Sequence, residues 1–315
     1  MSDSTVSRIH ASIEVSSDGG ATVTDLGSSN GTYLNGRRIC SPASLPLGSL
    51  LGVANVKLLF VDDNVSDAIS HTMLDFQEDI DRASRIERKL ITRSPVCPEG
   101  YLLSSYLDQC SMVGGDMYDV TQLASGDTAI MIGDAVGHGI GASVLMAYVL
   151  ASYRTQCYLG DFEPGKAIAV ISQLLYQYTD PSHFITALIA VLEGGSGRLR
   201  YANAGHNSPI IVRSDGLTER LNATGTPAGI LDGLQWNEDV VRLNRGDLLF
   251  LFTDGLIETS RGGELFGEER LVSALSAARD ESPERTIRLV NEEVQKFAGD
   301  GVRDDDTTMM AIKRL

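Results

Sequence analysis

The residues of this sequence with the clearest chemical potential are aspartates at the ends of apolar segments. Four of them stand where an apolar run begins or ends, namely Asp116, Asp134, Asp254 and Asp305. Neighbouring strands lie roughly 5 Å apart, so carboxylates at one edge of a sheet can meet although they are remote in sequence. Oxygen ligands without histidine or cysteine favour Mg²⁺ or Mn²⁺ over zinc. A single aspartate in such a place is more often a turn or capping residue, so both interpretations stay open.

A pair of divalent cations would give these carboxylates a hydrolytic role. Two ions about 3.5 to 4 Å apart can lower the pKa of a shared water and neutralise phosphoryl oxygens during an in-line displacement. Glycines adjoin the aspartates, and glycine permits close approaches that a side chain forbids. They are Gly114, Gly115, Gly133, Gly137, Gly139, Gly141 and Gly255. The pattern predicts loops packed around ions and a phosphate, with hydrolysis that needs no covalent intermediate.

Composition disfavours several other classes of protein. The 315-residue chain has 26 Lys and Arg against 42 Asp and Glu, a formal net charge of −16, which disfavours nucleic acid and anionic membranes as partners. Its four cysteines form no CxxC pair, so neither a zinc knuckle nor a disulfide framework is predicted. The sequence has no signal-peptide pattern and no run of about 18 apolar residues. We therefore expect a cytoplasmic protein.

The elements that must position these residues fall into three parts. Residues 1–63 contain short β-branched runs separated by glycine turns, which predicts a small antiparallel β-domain. Residues 64–94 predict a helix, and residues 95–315 a larger α+β domain, because strands cluster in hairpins and helices arrive in pairs. The larger domain's predicted strands are 128–133, 184–192, 199–203, 209–212, 248–253 and 308–313, and its predicted helices lie near 140–159, 164–178, 268–279 and 283–298.

The predicted helix of residues 64–94 has an apolar stripe. Its members recur at alternating steps of four and three, and they are Ile69, Met73, Phe76, Ile80, Ala83 and Leu90. Glu87 stands where another apolar residue is due, and Ser94-Pro95 is predicted to end the helix. About three heptads are marginal for a free-standing coiled coil. Two roles therefore stay open, pairing with a second copy as a homodimer or packing on the larger domain.

Six short motifs occur in the order and spacing typical of one protein family. They are Gly114-Gly115-Asp116-Met117-Tyr118-Asp119, Gly133-Asp134-Ala135-Val136-Gly137-His138-Gly139, Asn203-Ala204-Gly205-His206-Asn207, Thr253-Asp254-Gly255-Leu256-Ile257-Glu258, Phe266-Gly267 and Asp305-Asp306-Thr307-Thr308. Over about residues 80–315 the chain resembles the SpoIIE-like bacterial serine phosphatases, a branch of the metal-dependent, protein phosphatase 2C-like family. The resemblance implies a sandwich of two antiparallel β-sheets flanked by helices, with metals at one end.

The same resemblance implies a role for each aspartate. Asp134 would bridge two Mn²⁺ or Mg²⁺ ions. Asp254 and Asp305 would complete the ligands of one ion, and Asp116 with the backbone carbonyl of Ala135 those of the other. Ala135 replaces the glycine common there in the wider family, but a carbonyl ligand needs only backbone geometry. Asp134 and Asp254 are the predicted catalytic residues.

Two histidines of these motifs have alternative interpretations. His138 and His206 could act as a general acid, because histidine titrates near neutral pH. Histidine in a glycine-rich loop also commonly anchors the backbone through hydrogen bonds. We expect structural roles for both.

A second likeness lies at the N-terminus, in Ser7-Arg8-Ile9-His10, Ser28-Ser29-Asn30-Gly31-Thr32 and Asn35-Gly36. These residues resemble the second half of a forkhead-associated (FHA) domain, a β-sandwich that reads phosphothreonine. The likeness implies that Ser7, Arg8, Ser29 and Asn30 contact a phosphothreonine peptide and that His10 is buried. Such domains begin several strands earlier, so we expect a partial, truncated FHA-like sandwich with an exposed strand edge.

Together these features predict a metal-dependent protein serine/threonine phosphatase in bacterial signalling. Its substrate would be phosphoserine or phosphothreonine on a partner protein, which the family likeness implies is an anti-sigma-factor antagonist; that likeness also favours the homodimer. The alternative is a catalytically inactive phosphopeptide-binding adaptor, and retention of every predicted carboxylate ligand argues against it. Another binuclear metal hydrolase would need a histidine-rich ligand motif, which the five histidines do not form.

Overall fold

The protein is described by a computed structural model that covers residues 6–16, 20–54, 56–61, 63–91, 97–180, 182–299 and 305–315; in the first helix the side chains are described from Leu74 onward. Two compact units divide the chain, Met1–Asp79 and Ile80–Leu315. The predicted divisions at residues 63 and 94 stay predictions. Within the described residues, no helix is both long and apolar enough to cross a membrane.

In the described residues of the first unit, every element apart from the start of the first helix is a β-strand. Its strands are β1 (Ala11–Val15), β2 (Ala21–Asp25), β3 (Thr32–Leu34), β4 (Arg37–Arg38), β5 (Ala43–Ser44), β6 (Leu50–Val53) and β7 (Val56–Leu59). They form a three-stranded sheet, β1-β2-β5, and a four-stranded sheet, β4-β3-β6-β7. Asn35 and Gly36 join β3 to β4 with φ of 50° and 81°, as a two-residue hairpin turn requires. The predicted small antiparallel β-domain is confirmed.

Helix α1 (Asp63–Ile91) belongs to both units. The predicted apolar residues Ile69 and Met73 have side chains outside the described residues, as does the predicted stop at Ser94-Pro95. Phe76 is exposed. Leu90 packs against the main core of the second unit, in which Ile91 is buried.

The second unit contains twelve strands among the described residues. They are β8 (Tyr101–Asp108), β9 (Asp116–Gln122), β10 (Thr128–Ala135), β11 (Ile185–Leu192), β12 (Arg198–Ala204), β13 (Ile210–Val212), β14 (Thr218–Arg220), β15 (Asp239–Arg242), β16 (Leu248–Phe252), β17 (Ser260–Arg261), β18 (Glu264–Leu265) and β19 (Thr307–Arg314). Two five-stranded sheets result, β15-β12-β11-β10-β9 and β14-β13-β16-β19-β8, beside the short hairpin β17-β18. Every strand pairing in the two large sheets is antiparallel.

Helices cover the outer face of each large sheet. They are α2 (Ile140–Leu159), α3 (Pro164–Tyr178), α4 (Asp254–Glu258), α5 (Gly267–Ala277) and α6 (Pro283–Ala298). Helices α2 and α3 pack on the first sheet, whereas α5 and α6 pack on the second. Pro164 and Pro283 open their helices, where proline's missing N–H costs no hydrogen bond. The predicted sandwich of two antiparallel sheets flanked by helices is confirmed.

Strand β16 shows why the central strands are apolar without alternation. Leu249 and Leu251 belong to the core that both sheets share, while Phe250 and Phe252 belong to the core under α5 and α6. A strand buried on both faces reads as a continuous apolar run. The half-polar edge strand β8, with Ser104 and Ser105 at its centre, has no such signal, so the sequence did not predict it.

Candidate active site

The four predicted aspartates lie at one end of the sandwich. Asp116 opens β9 and stands directly opposite Asp134, near the end of β10. Asp254 follows β16 as the first residue of α4, and Asp305 precedes β19 by two residues. Strands β16 and β19 pair with each other, Phe252 opposite Met309. Each sheet therefore contributes two of the carboxylates from neighbouring strands.

Hydrogen bonds to Asp116 join the two sheets at this end. Its Oδ2 accepts from the hydroxyl of Thr253 at 2.8 Å and from that of Thr308 at 2.7 Å. Thr253 directly follows β16 and Thr308 lies in β19, two strands of the second sheet. The Asp116 side chain is 1% exposed. Burial raises its pKa to about 7, which the two hydroxyl donors oppose. These contacts fix one carboxylate oxygen of Asp116 and leave the other for a further interaction.

The remaining three aspartates line one cavity of about 340 Å³. Asp134, Asp254 and Asp305 face it together with His138 and Thr186. Burial is the first cause that raises the pKa of Asp134 to about 9, followed by the negative charges of Asp116, Asp254, Asp305 and Asp306. The aspartates thus share one electrostatic field, which strongly favours a counter-cation.

Glycines let the backbone approach these carboxylates. A Cβ on Gly115 would lie 2.7 Å from the carbonyl oxygen of Ala135 and 3.1 Å from Oδ1 of Asp134. A Cβ on Gly114 would overlap the carboxylate of Asp306, and one on Gly255 would overlap the backbone oxygen of the same residue. The close approach expected of the glycines is therefore present at these three positions.

Asp306 contributes to this end of the sandwich although only its neighbour Asp305 was predicted to do so. Only 5% exposed, it accepts hydrogen bonds from the backbone N–H groups of Cys110, at 2.9 Å, and Gly115, at 3.1 Å. Those bonds hold the loop that precedes Asp116. An Asp-Asp-Thr-Thr run carries no sign of which aspartate turns inward, because that depends on a loop about 190 residues away.

The donor set fits Mn²⁺ or Mg²⁺ better than a softer metal. Three carboxylates face the cavity. The Ala135 carbonyl oxygen lies near the Asp134 carboxylate, because both are next to Gly115. All of these groups are hard oxygen donors. Among the residues that the structure describes, no three acidic, histidine or cysteine side chains are close enough together to hold one ion as they stand. Rotations of the carboxylates would therefore have to complete a ligand set.

The two histidines occupy different environments. His206 is buried, its Nδ1 lies 2.9 Å from the hydroxyl of Thr186, and its backbone N–H donates to Oδ1 of Asn203 at 2.8 Å. Burial lowers the pKa of His206 to about 4. These contacts support the structural role predicted for His206. His138 is exposed and borders the cavity.

Comparison with known families agrees with this architecture. The family model described as "Stage II sporulation protein E (SpoIIE)" matches residues 124–315. The chain belongs to the SpoIIE family. An FHA domain model matches residues 1–53, so the SpoIIE region is preceded by an FHA domain.

Several curated proteins are similar to this chain. Protein IcfG of Synechocystis sp. is 23% identical over 295 residues, which cover 84% of this chain and 46% of the relative. Phosphoserine phosphatase RsbP of Bacillus subtilis is 24% identical over 197 residues, covering 61% of this chain and 48% of the relative. The chain therefore spans about half the length of these curated relatives.

A solved structure confirms the fold of the SpoIIE region. The SiaA-PP2C domain of Pseudomonas aeruginosa superposes with a TM-score of 0.68 at 18% identity, covering 77% of this chain and 98% of that domain. At this identity the likeness shows the fold alone.

The predicted phosphopeptide residues of the FHA domain lie on neighbouring loops. Oγ of Ser7 accepts from the backbone N–H of Ser29 at 3.2 Å, while Arg8, Ser29 and Asn30 are exposed. His10 is 5% exposed, and its Nε2 lies 3.0 Å from the carbonyl oxygen of Gly31. The predicted burial of His10 is confirmed, and the structure brings the loops of the four predicted contact residues together.

Proposed function

We propose that the chain is a metal-dependent protein serine/threonine phosphatase that hydrolyses phosphoserine or phosphothreonine on a partner protein. The observation that carries the proposal is the shared cavity of Asp134, Asp254 and Asp305, at the end where Asp116 joins the two sheets. Membership of the SpoIIE family and the name of the relative RsbP support the same reaction. Family resemblance points to an anti-sigma-factor antagonist as the partner.

The residues have separate tasks in this proposal. Asp134 would bridge two Mn²⁺ or Mg²⁺ ions, Asp254 and Asp305 would hold one of them, and Asp116 with the Ala135 carbonyl the other. When bound, such ions supply a nucleophilic water and neutralise charge on the phosphoryl oxygens. Thr253 and Thr308 keep Asp116 in one orientation, so the ligand need not be ordered during the reaction.

A phosphate-release assay tests the function. The full chain is given phosphoserine, phosphothreonine and phosphotyrosine proteins with Mn²⁺, with Mg²⁺ and with EDTA. We expect release from the serine or threonine substrates with either metal and none with EDTA. Release that persists in EDTA, or that requires tyrosine phosphate, contradicts the proposal.

The FHA domain and helix α1 would direct this activity. We propose that Ser7, Arg8, Ser29 and Asn30 bind a phosphothreonine peptide, supported by the FHA match over residues 1–53. We further propose that residues 64–94 act as a helical regulatory linker and pair in a homodimer. Exposed apolar side chains on α1, among them Leu74 and Phe76, support the pairing.

A further inference from the structure

Glu87 interrupts the apolar stripe of α1, yet it is only 4% exposed. With Ser84 and Ile91, both also buried, it forms a stripe at steps of three and four on one face of the helix. Burial of a carboxylate is unfavourable unless hydrogen bonds compensate, and burial raises the pKa of Glu87. An apolar side chain would satisfy packing alone at lower cost, so the contacts of Glu87 need another explanation.

Those contacts are made with the loop of residues 109–115, immediately before Asp116. Oε1 of Glu87 accepts from the backbone N–H of Gly114 at 3.0 Å and from the side-chain amide of Gln109. Its Oε2 is buried without a hydrogen-bond partner among the described residues. The Glu87 carboxylate therefore binds the loop through Oε1, although this position leaves Oε2 without a hydrogen bond to any described residue.

The same loop is held from its other side by Asp306. The Asp306 carboxylate accepts from the backbone N–H groups of Cys110 and Gly115, and Gly115 in turn accepts from the N–H of Ala135 at 3.3 Å. Adjacent backbone donors at Gly114 and Gly115 thus point at two different carboxylates. One carboxylate belongs to α1 and the other to the chain that leads into β19.

The C-terminal part of α1 is itself fixed in the second unit. Arg154 of α2 donates from Nη2 to the carbonyl oxygen of Leu90 at 2.6 Å, and its Nε forms an ion pair with the buried Asp119 of β9. Ile91 lies in the main core. Glu87 therefore reaches the loop from a helix whose position is set independently.

We propose that Glu87 is a positioning residue for the metal site, resting on the proposed function above. By holding Gly114, it sets the backbone of Gly114 and Gly115, and through them the side chain of Asp116 and the carbonyl of Ala135. These are the two groups assigned to the second ion. The predicted metal ligands all lie in the sequence motifs around the aspartates, whereas Glu87 lies outside them, on α1.

Three substitutions separate positioning from packing. Glu87→Gln keeps the acceptor oxygen for Gly114, whereas Glu87→Met keeps the length of the side chain and removes the acceptor. Glu78→Met is the matched control, because Glu78 is an exposed glutamate of the same helix. Circular dichroism verifies that each variant is folded.

Two readouts do not depend on turnover. In Glu87→Met we expect amide hydrogen exchange in residues 109–117 to be about tenfold faster or more. The reason is that the loss of a buried hydrogen bond lowers the free energy needed to open this loop locally. Calorimetric Mn²⁺ binding should weaken about 10- to 100-fold, the range for residues that orient metal ligands. Glu87→Gln should stay within about threefold of the unaltered chain in both measurements, and kcat at saturating Mn²⁺ should change less than the Mn²⁺ requirement.

Equal exchange and equal Mn²⁺ affinity in Glu87→Met and Glu78→Met would overturn the proposal, as would equal losses in Glu87→Gln and Glu87→Met. If Glu87→Met does not fold, Glu87→Ala, which also removes the acceptor for the Gly114 N–H, replaces it; faster loop exchange supports the proposal and unchanged exchange overturns it. A chain that binds Mn²⁺ with this pattern but releases no phosphate refutes the proposed function and leaves the positioning role intact.

Discussion

Asp116 and Asp134 face each other across the antiparallel pair β9 and β10, but only Asp116 is tied to the opposite sheet by two threonine hydroxyls. Asp134 faces the cavity instead, in the field of four other carboxylates. One member of the pair is thus ordered by the fold, while the other is exposed to repulsion that a cation would relieve. This difference has consequences for both activity and stability.

Asp134→Asn should abolish activity and stabilise the metal-free protein. Loss of the bridging carboxylate is expected to reduce phosphate release on the order of 100-fold or more, above the loss for groups that only orient ligands. Asparagine replaces a carboxyl whose ionised form this site disfavours, and the Tm without metal should rise by roughly 2 to 4 °C per kcal/mol of stability gained. Differential scanning calorimetry in EDTA and a phosphate assay in Mn²⁺ measure the two effects. Asp280→Asn, at a highly exposed site, is the control, and undiminished turnover in Asp134→Asn would refute the site.

Gly255→Ala should destabilise the SpoIIE region, because its Cβ would overlap the backbone oxygen of Asp306. Backbone atoms cannot give way as a flexible side chain can, so we expect a loss of about 1 to 3 kcal/mol in the free energy of unfolding. Gly141→Ala on α2 is the matched control. Nothing lies within 4 Å of a Cβ at Gly141, so the gain in helix propensity should leave that variant neutral or more stable by up to about 1 kcal/mol. Urea unfolding compares them, and equal effects would show that the tight approach at Gly255 is not real.

Buried His206 should make stability depend on pH. Its pKa falls from 6.5 to about 4 in the folded protein, so between these values the unfolded chain binds the proton and the folded chain does not. Stability is therefore expected to decrease as pH falls through this window, at up to about 1.4 kcal/mol per pH unit. Between pH 7 and pH 5 the unaltered chain should lose about 2 kcal/mol more than His206→Gln. Urea unfolding at both pH values tests this, and identical losses would mean that His206 takes up a proton without penalty.

Helix α1 should control the oligomeric state. Charges introduced by Ile69→Glu, Met73→Glu and Phe76→Glu are expected to convert a homodimer into a monomer, because like charges would meet along the pairing stripe. Light scattering measures the mass, which for one chain is 33.8 kDa. Tyr158→Glu with Leu159→Glu, at exposed positions on α2, is the control. An unaltered chain that is already monomeric, or a triple variant that stays dimeric, contradicts pairing through this helix.

The sequence by itself determined the layers of the SpoIIE region and the location of its acidic residues. Apolar runs such as Leu248–Phe252 mark strands covered on both faces, because burial on both sides leaves no polar positions. Proline at the start of α3 and α6 marks helix beginnings for an equally local reason. A carboxylate at the end of such a run can be read directly, as Asp134 and Asp254 show.

Only the tertiary structure decided what each acidic side chain contacts. Asp306 is buried against the loop before Asp116 because Cys110 and Gly115 present their N–H groups to it, whereas its neighbour Asp305 faces the cavity. A pairing over so many residues leaves no local pattern. In the sequence Glu87 only interrupts the apolar heptad pattern of α1, whereas in the structure its carboxylate accepts a hydrogen bond from Gly114. Secondary-structure propensity and apolar patterning depend on residues that are close in sequence, whereas hydrogen-bond partners are fixed by the packing of distant segments. The sequence therefore showed where the carboxylates are, and the fold showed which groups hold them.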